Sequence, residues 1–86
     1  MEENTTKILT ATIQTKKRNT VWRTVKSKSI GMLKLWLLQN CKAHQRGFIA
    51  ESIVDNASGI VVAEKMLFCV EGAKSFPKVI YDENKQ

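Results

Sequence analysis

The chain is poor in the residues that break or staple a fold. Among its 86 residues are one proline and four glycines, too few for a long linker or a low-complexity segment. Its two cysteines, Cys41 and Cys69, sit inside apolar runs and form no CxxC pair, so they read as free, buried thiols rather than a disulfide framework. The single histidine, His44, cannot anchor a metal site alone, and neither metal nor cofactor is expected. The longest apolar run, Ile30 to Leu38, is broken by Lys34 and falls well short of the roughly 20 residues of a membrane span. The opening MEENTTKILTATIQ begins acidic and lacks the basic and apolar regions of a signal peptide. A soluble, cytoplasmic protein with no membrane partner is expected. The remaining deficit is electrical: no acidic residue occurs from Asn4 to Ala50.

What is present describes a globular chain, with 43% hydrophobic and 26% charged residues. One domain over 1–86 is expected, with 1–5 and 82–86 frayed. Its net charge of +6 is unevenly spread: residues 1–46 carry ten bases against two acids, and residues 47–86 carry four against six. Such asymmetry points to an anionic partner.

Residues 6–14, TKILTATIQ, alternate as a strand, with Leu9, Ala11 and Ile13 on one face and Ile8, Thr10, Thr12 and Gln14 on the other. After the polar KKRN, the β-favouring TVWRTVKSK makes this an antiparallel hairpin. SIGMLKLWLLQNCKAHQRG then favours a helix, N-capped by Ser29 and stopped at Gly47, with Lys42, His44 and Arg46 against the C-terminal dipole. Its expected buried face is Ile30, Leu33, Leu37 and Cys41, flanked by Trp36, Met32 and Ala43, with Leu35 and Leu38 outside. A buried strand over 30–38 is the alternative. FIAESIVD and IVVAEKMLFCVE flank a turn at Asp55–Gly59 and form a second hairpin. Its second strand is apolar on both faces, as a strand covered from both sides would be. KVIYD is a candidate short edge strand after Phe76-Pro77. The fold class is therefore α+β: a small antiparallel sheet of four or five strands in the order β-β-α-β-β, with a candidate final strand and one helix on one face. A single helix covers one face only, so a second copy of the chain is the simplest cover for the other, and a homodimer is expected.

The residues that point to a partner are Lys16, Lys17, Arg18, Trp22, Arg23, Lys26 and Lys28. In a regular strand, Trp22, Thr24, Lys26 and Lys28 share one face and Val21, Arg23, Val25 and Ser27 the other. An aromatic ring among lysines and hydroxyls on a sheet can stack a base while ammonium groups hold phosphates, so nucleic acid is the favoured partner. No catalytic grouping is visible: Cys41 and His44 lie one helical turn apart without a third member, and the glycines form no phosphate loop. The stretch FIAESIVDNASGIVVAEKMLFCV resembles the closing hairpin of hotdog-fold acyl-CoA thioesterases, and TATIQTKK is loosely similar to an earlier strand of that family. The resemblance implies a half-domain lacking the family's long central helix and catalytic acid. The expected function is thus a small, non-enzymatic, regulatory binding protein. A protein–protein interaction module, such as an inhibitor or accessory subunit acting through its sheet face or edge, is the alternative, and an acyl-CoA-binding or thioesterase fragment a lesser one.

Overall fold

A computed structural model describes residues 4–83. Its elements are β1 (Thr5–Thr15), β2 (Val21–Ser27), α1 (Ile30–Asn40), β3 (Gln45–Asp55), β4 (Val61–Glu71) and β5 (Lys78–Asp82). The five strands form one antiparallel sheet in the order β2-β1-β3-β4-β5, and α1 packs on one face of it. KVIYD is indeed the fifth strand, and 30–38 is helix rather than strand.

The alternation of β1 places its faces as the sequence implied. Ala11 and Ile13 are fully buried under α1, joined by Ile49 from β3 and by Phe68 and Val70 from β4. Leu33 and Leu37, one turn apart, supply the helix side of this core. Gly47 is not a helix stop but a strand residue beneath Leu37. A Cβ there would stand 2.6 Å from Leu37 Cδ2, so its absence lets the helix sit close to the sheet. Ser29 caps α1, its Oγ accepting from Met32 N. The other end differs from expectation. The helix closes at Asn40, whose side-chain amide takes the Trp36 carbonyl, and Cys41 is extended. Residues beyond Cys41 are drawn into the sheet, because Gln45 and Arg46 pair with Thr15 and Gln14 of β1. Tertiary pairing overrides local propensity here.

The helix is also turned a little from the expected orientation. Met32 faces solvent, while Leu38 packs at the core margin and Lys34 reaches over the sheet. The Lys34 ammonium lies 3.3 Å from Asp82 of β5 and 5.0 Å from the Phe68 ring centre, tying helix to edge strand.

An 11-residue helix is about 16 Å long, whereas 11-residue strands reach about 37 Å. The strands therefore outrun their cover. Among the described residues β2 meets only Leu9–Gln14 of β1, and β5 meets only Phe68–Glu71 of β4. What remains is a three-stranded arm built from Thr5–Ile8, Glu51–Asp55 and Val61–Met66. On and beside it Ile60, Val61, Val62 and Met66 are exposed, from 47% to 63%, so the two-sided cover expected for β4 exists only near Leu67–Val70. Leu67 is the extra residue of a β-bulge between the Ile49–Phe68 and Ala50–Met66 pairs, which reverses the phase of the strand and buries consecutive residues.

Both hairpins close with one left-handed residue, Asn19 (φ 53°) in the first and Gly59 (φ 75°) in the second. Gly72 answers a different need: a Cβ on it would lie 1.6 Å from the Lys42 carbonyl oxygen. Two glycine substitutions should therefore separate. Gly72→Ala is expected to destabilise by about 3 kcal/mol through backbone displacement, and Gly59→Ala, with no neighbour to meet, by about 1 kcal/mol through backbone strain alone. Urea denaturation of the two variants tests the ranking, and equal losses would contradict it.

Candidate nucleic-acid interface

The first hairpin loop is fastened to the body of the protein by Lys16. Its backbone N–H donates to His44 O (2.9 Å), and its ammonium donates to Gly72 O (2.9 Å) and pairs with Glu71 at 3.1 Å. Of the residues expected to meet a polyanion, this one is occupied internally. It acts as a bracket between the β1–β2 loop and the β4–β5 corner. Lys17 and Arg18 beside it are exposed.

β2 does not alternate regularly, and this changes its faces. The ladder with β1 shifts between Ile13–Arg23 and Gln14–Val21, leaving Trp22 as the extra residue of a bulge. Trp22 and Arg23 are consequently side by side, with the guanidinium carbon 6.0 Å from the ring centre, where simple alternation would have put them on opposite faces. The indole remains half exposed. Lys26 pairs with Thr10 and Thr24 with Thr12, on the face away from the helix. Seven strand residues span about 20 Å, so Lys26 and Lys28 sit at the far end of β2 from Lys17 and Arg18. The predicted set is thus not one patch.

The end that holds Lys17 and Arg18 gains cations that no local pattern had linked to them. Gln14, Arg46, Glu71 and Lys78 are consecutive partners across β1, β3, β4 and β5. Lys42 and His44 lie in the turn that touches Gly72 and Lys16, and Lys74 follows two residues after Gly72. Lys17, Arg18, Lys42, Arg46, Lys74 and Lys78 are all exposed there. Glu71 is the acid among them, and its carboxyl is held below the ordinary range by the hydrogen bond and charge of Lys16, with Arg46 and Lys78 adding to the effect. Sequence reasoning missed Lys42, Arg46, Lys74 and Lys78 as members of a site. They belong to two stretches, 42–46 and 74–78, distant from each other and from Lys17 and Arg18, and only strand register brings them together.

Both cysteines are free, and burial raises both thiols. Among the described residues no group of three or more His, Cys, Asp or Glu side chains is placed to hold a metal, and no helix is long and apolar enough to cross a membrane. Comparison with protein-family models, with curated proteins and with solved structures finds no match in any of the three.

Because Lys16 depresses the Glu71 carboxyl, the pair stabilises the fold at neutral pH, and that contribution disappears as pH falls through the folded-state value. Thermal melts from pH 7 down to below about pH 4.5 should show the wild type losing stability more steeply than Glu71→Gln. Parallel acid limbs for the two proteins would mean that the bracket does not stabilise.

Proposed function

We propose that the chain is a small, non-enzymatic binding protein of the cytoplasm whose basic end grips the phosphate backbone of a nucleic acid. The observation that carries the reading is the convergence of three connections, β1–β2, α1–β3 and β4–β5, each bringing exposed cations to one end of the sheet while Lys16 neutralises the acid among them. Phosphate contacts need such a concentration of cations and little else. Trp22, held beside Arg23 on the free outer edge of β2, adds an exposed ring on which a base can stack.

A second copy of the chain has its own support: Val61 and Met66 of the arm, partners of Val54 and Ala50 on the face away from the helix, each expose about half of their surface, away from the basic end. A homodimer formed there leaves the basic end open. Size-exclusion chromatography with light scattering, with and without oligonucleotide, reads both properties together. The acyl-CoA reading differs in requiring measurable hydrolysis or binding of acyl-CoA esters.

A fluorescent single-stranded oligonucleotide is expected to bind at low ionic strength, with affinity falling as salt rises by about 0.7 log units per log unit of salt for each phosphate contacted. The double variant Lys17→Glu/Arg18→Glu should weaken binding at least about tenfold and flatten that slope, with an unchanged melting temperature. Trp22→Ala should cost about tenfold with the slope preserved, because stacking is not ionic. A salt-independent or absent polarisation change defeats the proposal. Lys16→Glu is unsuitable as a test, since it breaks the bracket as well as the charge.

A further inference from the structure

The arm leaves part of β1 without a neighbour, and that gap forms a cleft. β2 ends at Ser27, opposite Leu9, and the chain turns away into α1. No strand therefore pairs with Thr5–Ile8 on that side among the described residues. The cleft has a volume of about 630 Å³. Ile8 and Leu9 line it from opposite faces of β1, together with Thr6 and Ser27, and Lys7, Lys26 and Lys28 also line it. Glu51 also lines it, one carboxylate against three lysines, so the lysines dominate the charge.

The backbone along this gap has a defined polarity. Thr15 N donates to Thr20 O on the β2 side, whereas Lys16 N donates to His44 O, and Asn4 O accepts from Asn56 N, both on the β3 side. The β1–β3 register is unbroken from Thr5 to Thr15, so odd-numbered residues of β1 turn their N–H and C=O toward β2 along the whole strand. Past the end of β2, the groups of Thr5 and Lys7 turn toward the cleft. A donor–acceptor row with an apolar side chain on either face of its strand is complementary to an extended polypeptide, and the surrounding ammonium groups select carboxylates.

We infer that this cleft binds an acidic extended peptide of a protein partner, which adds to β1 as a strand in line with β2. The site is separate from the basic end, and neither reading depends on the other. Its chemistry is main-chain pairing to Thr5 and Lys7, with carboxylates meeting Lys7, Lys26 and Lys28, and an apolar side chain on Ile8 or Leu9.

The test uses a fluorescein-labelled, capped octapeptide of alternating glutamate and valine, with a lysine–valine peptide of the same length as control. The acidic peptide should bind and the basic one should not. On binding, the amides of Thr5 and Lys7 should gain protection from hydrogen exchange. Lys7→Pro removes one outward N–H without removing a bond to β3, and proline is tolerated on such an edge. It should reduce affinity at least tenfold while leaving the melting temperature near that of wild type. Lys26→Glu/Lys28→Glu should do the same through charge and covers the case in which the proline variant unfolds. Equal binding of the two peptides overturns the inference, as does binding that protects Val61–Met66 instead of Thr5 and Lys7. So does displacement of the peptide by oligonucleotide with equal potency, which would assign the cleft to nucleic acid.

Discussion

The buried amide of Gln45 organises one whole end of the molecule. Its side-chain oxygen accepts from Lys42 N, its backbone N–H donates to Lys42 O, and its carbonyl accepts from Gly72 N. Only 5% exposed, Gln45 can occupy this position because each of these groups has a partner. Through Gly72 the same knot reaches Lys16, and through Lys16 the first hairpin. Three connections that are distant in sequence are thereby held at fixed separations. The cations they carry are positioned by hydrogen bonds rather than by their own repulsion, which alone would splay them apart.

The division between a covered core and an uncovered arm follows from one length mismatch. The helix spans little more than the stretch of sheet where β2 and β5 also pair, so burial, ion pairing to Asp82 and close helix approach over Gly47 all fall within it. The arm keeps its backbone pairing but exposes much of its apolar surface. Among the described residues the arm has one strand edge without a partner beside Lys7 and another along Val61–Met66. They differ in chemistry: the first lies among lysines, and the second is mainly aliphatic apart from Glu64 and Lys65.

Much of this was legible in the residues. The alternation of Leu9, Ala11 and Ile13, the turn at Asp55–Gly59, the cap at Ser29 and the edge strand at KVIYD are local signals, and each appears as read. The failures lie where distant contacts decide. Gly47 looks like a helix terminator until β1 pairs with the segment around it. Trp22 and Leu67 look like ordinary members of alternating strands, but each is the extra residue of a bulge. A bulge is fixed by the partner strand and leaves little trace in its own sequence. The basic end was half legible: Lys17 and Arg18 announce themselves, while Lys42, Arg46, Lys74 and Lys78 acquire meaning only through register.

The bracket from Lys16 to Gly72 spans 56 residues of sequence. Contacts so far apart form late, after the intervening loop has been closed by more local pairings. Both hairpins can form before β4 docks its last residues, but the cationic end cannot. During synthesis, Lys16, Lys17 and Arg18 leave the ribosome long before Gly72. The nascent chain thus carries its positive charge as a dispersed segment and concentrates it into one surface only when the sheet is nearly complete.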